Sequence, residues 1–292
     1  MRMDYRTFYN RSRQLASSLA ARGIGKGDTV SVMLSNTPAM LEAHHGVPMT
    51  GAVLHSFNTR LDAAVIAFQL DHAETKILIV DREFSAVMDE ALAIAKVDPL
   101  VIDYDDPEFG VDTPFSKGDR IGTEDYEAFL TAGDPDYAWS WPADEWDSIS
   151  LNYTSGTTGP PKGALHGHRV LPGHLPGIQM AHEFMPREGD LFWTPADWAW
   201  AGGLLNALLP ALHFGVPIVS YRFDKFDPER AFALMAELGV RNAFIPPTAL
   251  KILRTVEAPL EKFDLGLRTV GSAGEALGRE TFDWAKTCLK LS

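Results

Sequence analysis

The chain has little cysteine, fewer basic than acidic residues and no long apolar run, and each of these features excludes a class of protein or of site. The single cysteine among 292 residues, Cys288, excludes an intramolecular disulfide and a multi-cysteine zinc site. With 26 basic and 39 acidic residues, the formal net charge of −13 repels nucleic-acid phosphates. No uninterrupted apolar run of about 18 residues is present to span a membrane. We therefore expect a cytoplasmic protein that binds no nucleic acid and has no membrane span.

Strand-like and helix-like stretches alternate along the chain. Apolar β-branched runs such as DTVSVML and KILIVD are separated by helical patterns such as RLDAAVIAFQLDHAE. This alternation predicts an α/β fold with mostly parallel sheets, covered by helices on both faces. The Pro- and acid-rich stretch GDPDYAWSWPADEWD is typical of a surface connection. We therefore expect one subdomain over residues 1–147 and a second over residues 148–292.

A segment rich in glycine and hydroxyl groups follows the predicted strand SISLNYT. Residues 154–163 read TSGTTGPPKG and include no acidic side chain. Glycines allow backbone N–H groups to converge on an anion, the hydroxyls add donors, and Lys162 adds a positive charge. The spacing is neither that of a Walker A loop nor that of a GxGxxG or GxSxG motif. The segment predicts a phosphate-binding loop, and a flexible connection is the alternative.

The stretch YTSGTTGPPKG strongly resembles the phosphate-loop signature of the AMP-forming acyl-CoA synthetases and their adenylate-forming relatives. Two later stretches, FWTPADWAWAGG and VGSAGEAL, are similar to the acyl-pocket segment and the nucleotide-contacting turn of that family. The resemblance covers nearly all of the chain. It implies the family's large N-terminal domain, with stacked, mostly parallel sheets and interleaved helices. The implied reaction uses ATP, Mg²⁺ and coenzyme A to convert a short- or medium-chain carboxylic acid to acyl-AMP and then to acyl-CoA.

The resemblance also implies roles for individual residues. The residues expected to hold the ATP phosphates are Thr154, Ser155, Gly156, Thr157, Thr158, Gly159 and Lys162, of which Thr154 and Lys162 would act in catalysis. Gly274, Glu275 and Ala276 would contact the nucleotide. The alternative for Glu275 is an acid at the N-terminus of a helix, stabilised by the helix dipole.

The expected acyl-pocket residues are Trp200, Ala201 and Gly202. Core packing is the alternative for the three tryptophans of this region, Trp193, Trp198 and Trp200, because aromatic clusters usually belong to the core. No metal site made by protein side chains is predicted, since the histidines lack a third ligand at a suitable spacing.

Other motifs of the family do not occur in residues 1–292. They are the Tyr-Gly-x-Thr-Glu stretch, the aspartate that binds the ribose hydroxyls, and the lysine of the small C-terminal lid domain. We therefore expect the chain to correspond to about half of a family member and to be weakly active or inactive by itself. A non-catalytic nucleotide- or phosphate-binding module is the alternative function. Apolar surface left uncovered on the second sheet would favour a homo-oligomer.

Overall fold

The computed structural model describes residues 2–107, 118–154, 161–223 and 225–291. Contacts within the chain divide it into two units, Met1–Arg169 and Val170–Ser292. The sequence placed the division after residue 147 instead. The difference arises because the strand Ser148–Thr154 pairs with the strand Val53–Ser56, so it extends the first sheet rather than starting a second one.

The first unit is built on a sheet of seven strands among the described residues. In chain order the strands are β1 (Thr29–Met33), β2 (Val53–Ser56), β3 (Thr75–Asp81), β4 (Leu100–Tyr104), β5 (Glu124–Asp125), β6 (Ser148–Thr154) and β7 (Lys162–Gly167). Their order across the sheet is β5-β4-β3-β1-β2-β6-β7, and β7 runs antiparallel to β6 while the other pairs are parallel. Every residue of β1 and β2 is buried, as expected for parallel strands covered on both faces.

Three of the five helices described in the first unit begin at an aspartate whose side chain caps them. The helices are α1 (Tyr5–Ala21), α2 (Pro38–Met49), α3 (Ala63–His72), α4 (Ser85–Ile94) and α5 (Tyr126–Thr131), and a 3₁₀ turn (Arg82–Phe84) precedes α4. Asp4 and Asp62 accept backbone hydrogen bonds at the starts of α1 and α3. Thr37 occupies the N-cap position of α2, but its side chain makes no capping hydrogen bond.

The second unit has a four-stranded, fully parallel sheet among the described residues. Its strands are β8 (Phe192–Trp193), β9 (Ile218–Val219), β10 (Asn242–Phe244) and β11 (Thr269–Gly271), in the order β11-β10-β8-β9. Its helices are α6 (Val170–Ala181), α7 (Ala201–Gly203), α8 (Leu209–His213), α9 (Pro228–Leu238), α10 (Pro247–Leu253), α11 (Pro259–Lys262) and α12 (Arg279–Cys288). A π-helical turn, Leu204–Leu208, joins α7 to α8. Both sheets confirm the predicted fold class of mostly parallel sheets with helices.

The core of the second unit is centred on Trp193, which is fully buried among Phe232, Met235 and Ile245. Trp198 is also buried. Core packing, the alternative considered for both tryptophans, is therefore confirmed. Within the part of the chain that the structure describes, no helix is long and apolar enough to cross a membrane.

Candidate functional site

The glycine-rich segment is bounded by two residues that pair with each other. Thr154 ends β6, Lys162 begins β7, and they are register partners in the antiparallel pair. Thr154 Oγ1 also donates to the carbonyl oxygen of Lys162 at 3.4 Å. The structure thus assigns Lys162 to a strand, whereas the sequence suggested a loop as far as residue 163. The remaining predicted phosphate-binding residues lie outside the described residues: Ser155, Gly156, Thr157, Thr158 and Gly159.

The residue before this segment is held by contacts from α3 and β2. Tyr153 Oη is 2.7 Å from His72 Nδ1, and the Tyr153 ring centroid is 5.0 Å from that of His55. His55 is fully buried, and burial lowers its pKa to about 3, so the ring is neutral near pH 7. Burial also raises the pKa of Tyr153 to about 12, which keeps its hydroxyl protonated. These contacts fix the position from which the segment leaves the sheet.

Lys162 is exposed at the start of β7 and makes no ion pair with a described residue. Thr154 is also exposed. An ammonium group and a hydroxyl therefore lie at the two ends of the glycine-rich segment, on neighbouring strands. The ammonium group of Lys162 is a free donor that suits phosphate oxygens, and the Thr154 hydroxyl could join it by exchanging its long bond to the Lys162 carbonyl for one to an anion.

The predicted nucleotide turn follows β11 in the second unit. Gly274 has a φ of +100°, a conformation that side-chain-bearing residues rarely adopt, so glycine suits the turn. Thr248 Oγ1 lies 2.9 and 3.0 Å from the two carboxylate oxygens of Glu275, which share its single hydroxyl proton. The helix α12 begins only at Arg279. Glu275 therefore lies outside the helix, and its interpretation as an acid in the first helical turn is wrong.

An open cavity of about 330 Å³ lies within the second unit. The helix α6 forms one wall through Gly173, Gly177 and Ala181, which are four residues apart and therefore share a face. The other wall includes residues 271–273 at the end of β11 and the side chain of Phe244. The largest side chain among Gly173, Gly177 and Ala181 is the methyl group of Ala181, so this face of α6 leaves room for a small ligand.

The predicted acyl-pocket residues, Trp200, Ala201 and Gly202, are not among the residues that line this cavity. Trp200 is 47% exposed, at the N-cap position of α7, so it is not a core residue. Ala201 is also exposed. A side chain on Gly202 would contact the ring of Phe244 at 3.6 Å, so Gly202 is next to a cavity-lining residue. The roles assigned to these three residues stay predictions.

Asn206 lines the cavity from the π-helical turn, and sequence reasoning did not identify it. Pro210 has no N–H to donate to the carbonyl of Asn206, which is a physical reason for the departure from α-helical bonding. His182, which follows α6, was missed as well. The sequence signal for α6 is its small residues at four-residue spacing, but Pro172 and Pro176 obscure the helical pattern.

Among the described residues, no group of three or more His, Cys, Asp or Glu side chains could hold a metal ion. A magnesium ion that accompanies a nucleotide needs only one or two carboxylates, because phosphate oxygens and water supply its other ligands. The exposed carboxylate of Glu275 is of the type such an ion binds.

Comparison with known proteins gives several matches over most of the chain. The chain is 44% identical over 267 residues to an acetate–CoA ligase, CCL3, of Humulus lupulus, covering 87% of this chain and 44% of the relative. It is 46% identical over 172 residues to the acetate/butyrate–CoA ligase AAE7, peroxisomal, of Arabidopsis thaliana, covering 56% of this chain and 30% of the relative. The chain thus spans less than half the length of these curated relatives.

A crystal structure of the Brucella canis acyl-CoA synthetase superposes with a TM-score of 0.83 at 26% identity, covering 100% of this chain and 51% of that one. Because the superposition covers the residues of both units, it confirms the fold class. The family described as AMP-binding enzyme matches residues 1–291. The chain therefore belongs to the AMP-binding enzyme family.

Proposed function

We propose that this chain forms the part of an AMP-forming acid–CoA ligase that binds ATP and the carboxylic acid. The observation that carries the proposal is the 44% identity, over 87% of the chain, to a relative named as an acetate–CoA ligase. In the reaction, the acid attacks the α-phosphate of ATP, pyrophosphate leaves, and coenzyme A then displaces AMP from the acyl-adenylate. ATP, Mg²⁺, coenzyme A and a small carboxylic acid are thus the proposed cofactors and substrates.

The phosphate loop, residues 154–163, is proposed to hold the β- and γ-phosphates. Negative charge accumulates on the departing pyrophosphate, and preorganised donors lower the free energy of that transition state. Lys162 would supply the positive charge, and Thr154 a hydroxyl donor. Ser155, Gly156, Thr157, Thr158 and Gly159 would supply the remaining hydroxyl and backbone N–H donors.

The turn of Gly274, Glu275 and Ala276 is proposed to contact the nucleotide. It is supported by the left-handed backbone of Gly274 and by the fixed, exposed carboxylate of Glu275. The cavity beside α6 is the proposed acid site, with Trp200, Ala201 and Gly202 near its edge. Its volume of about 330 Å³ and its small α6 residues suit a short- or medium-chain acid. Relatives named for acetate, butyrate and 2-methylpropanoate support this size class.

Replacing Lys162 with alanine should weaken pyrophosphate binding by roughly 10- to 100-fold, since one charge-assisted hydrogen bond contributes about 1.5–3 kcal/mol. The fold should be preserved, because an exposed lysine contributes little to stability. Calorimetric titration with pyrophosphate measures the effect, and Lys286→Ala on α12 is the matched control at another exposed lysine. Equal pyrophosphate affinities for the wild type and Lys162→Ala would contradict the loop assignment.

Residues 1–292 by themselves should release pyrophosphate at a rate close to background when supplied with ATP and acetate, butyrate, octanoate or 3-methylthiopropionate. The reaction needs a cation that moves in to neutralise the reacting phosphate, and the family motif that carries this lysine does not occur in these residues. Robust acid-dependent turnover would contradict this expectation.

A fusion of residues 1–292 to the C-terminal half of the Humulus lupulus acetate–CoA ligase should restore acid-dependent release of pyrophosphate. The two chains are similar enough over their shared region for such an exchange to be informative. A folded fusion that binds pyrophosphate but never turns over would favour the second candidate, a non-catalytic phosphate-binding module. A cytoplasmic location and a homo-oligomer stay predictions, and AAE7 is named as peroxisomal.

A further inference from the structure

The wall of the cavity in the second unit contains a buried histidine that the phosphate loop does not explain. His182 is 1% exposed and lines the cavity. A Cβ atom on Gly271 would lie 3.2 Å from His182 Nε2, so the missing side chain at Gly271 leaves this nitrogen accessible. Nε2 makes no hydrogen bond with a described residue. Nε2 therefore faces the cavity with its hydrogen-bonding capacity unused within the described residues, and a ligand group in the cavity can complete it.

A chain of hydrogen bonds determines which ring nitrogen carries the proton. Asp190 can only accept, and although burial by itself raises the pKa of its carboxyl, hydrogen bonds to the carboxylate, including those from Arg187 N and Arg268, hold the pKa below its ordinary value. The amide oxygen of Asn242, Oδ1, accepts from Thr269 Oγ1 at 2.7 Å. The Thr269 hydroxyl has then used its only proton.

Thr269 Oγ1 must therefore accept from His182 Nδ1, which is 2.7 Å away. This bond places the proton on Nδ1 and leaves the lone pair on Nε2. Burial, followed by the nearby charge of Arg268, lowers the pKa of His182 to about 4, so the ring stays neutral near pH 7. His182 thus presents a hydrogen-bond acceptor, with no charge, to the cavity.

A second polar atom of the same cavity wall is also without a partner. Ser272 Oγ is buried and makes no hydrogen bond with a described residue. An unsubstituted alkyl acid in its ionised form has no proton to donate, so it would leave His182 Nε2 unpaired. A site that is built to bond a substrate hydroxyl discriminates against the analogue that lacks it.

Resting on the proposed function, we infer that the acid bound here carries a hydroxyl group on a short carbon chain, and that His182 Nε2 accepts the hydrogen bond from this hydroxyl. His182 is then a specificity-determining residue of the acid site. The neutral state of the ring matches a neutral hydroxyl donor rather than a second carboxylate.

Binding of butanoate and of 2-, 3- and 4-hydroxybutanoate to residues 1–292 tests this inference, with calorimetry in the presence of saturating AMP. We expect at least one hydroxy acid to bind roughly tenfold more tightly than butanoate. His182→Phe should remove the preference, so that butanoate and the hydroxy acids bind with affinities within about twofold of one another. Gly271→Ala should reduce the preference as well, because its methyl group covers Nε2 without breaking the bond to Thr269. His174→Ala, another cavity histidine on α6, is the matched control and should keep the preference.

Nitrogen NMR of the His182 ring gives a readout that does not depend on any variant. We expect a protonated Nδ1 and an unprotonated Nε2, with the Nε2 resonance shifting on addition of the hydroxy acid but not of butanoate. A protonated Nε2 would overturn the inference even if both variants failed to fold. Equal affinities of the wild type for all four acids would also overturn the inference. A preference that disappears in His174→Ala but persists in His182→Phe would overturn it as well. If none of the acids binds the wild type, the proposed acid site fails together with the inference.

Discussion

Replacing Glu42 with alanine should destabilise the first unit by about 3 kcal/mol, the low end of the cost of breaking a buried ion pair. Glu42 lies on α2 with its side chain fully buried. It accepts from Arg11 Nε of α1 at 2.5 Å and from Tyr126 Oη of α5 at 2.6 Å. One carboxylate thus connects three helices, and its removal leaves a buried tyrosine hydroxyl without its partner.

The low end of the range applies because Arg11 keeps a second partner, Glu127, at 2.6 Å. Burial raises the pKa of Glu42 above its ordinary value, although the bonds from Arg11 and Tyr126 act in the opposite direction. Urea denaturation followed by circular dichroism measures the loss of stability. Glu127→Ala is the matched control, since this carboxylate pairs with the same arginine but is 53% exposed, and its loss should cost less than about 1 kcal/mol. If both substitutions lowered the free energy of unfolding equally, the burial of Glu42 would not be the reason why its ion pair stabilises the first unit.

Replacing Trp193 with alanine should destabilise the second unit by about 3–5 kcal/mol, the range for removing a large aromatic side chain from a core. Trp193 is fully buried on β8, at the centre of the cluster that contains Phe232 and Met235. The cavity left by the indole ring cannot be filled without shifting the helices around it. Trp193→Phe should recover part of the loss, because it restores much of the aromatic contact.

Trp200→Ala is the matched control for this substitution, because the two tryptophans are seven residues apart in the sequence but differ in burial, at 0% for Trp193 and 47% for Trp200. It should change the free energy of unfolding by no more than about 0.5 kcal/mol. If Trp200 shapes the acid site, Trp200→Ala should instead weaken acid binding at nearly unchanged stability. A large loss of stability with Trp200→Ala would assign it to the core after all. Thermal or urea denaturation, combined with acid titration, separates these outcomes.

Local patterns were sufficient to predict the fold class and many of the elements. The helix α9 shows why: Asp227 caps it, Pro228 occupies its first turn, and Gly239 ends it in the left-handed conformation. These signals lie within one segment of chain and need no distant partner. The strands β1 and β3 were equally clear, because continuous β-branched runs are buried on both faces wherever helices cover the sheet.

Elements whose local signals conflict with their final structure were not predicted. Prolines and glycines in α6 lower its helix propensity, so its stability must come from packing that the sequence pattern does not show. The strand β7 begins at Lys162 directly after two prolines and is specified by its pairing with β6. The same pairing moved the boundary between the units to residue 169, because strands follow their hydrogen-bond partners rather than local composition.

The sequence by itself determined the family, through the glycine-rich loop and the GSAGEAL turn. Each of these motifs is a short continuous stretch, so it can be identified without knowing which distant residues it contacts. Only the tertiary structure decided which polar atoms face the cavity. His182 and Thr269 are 87 residues apart, and Asn242 and Thr269 are 27 apart. These contacts determine which ring nitrogen of His182 carries the proton, and no sequence pattern predicts them. The accessibility of Nε2 depends in turn on the close approach of Gly271, which arises only when α6 packs beside β11.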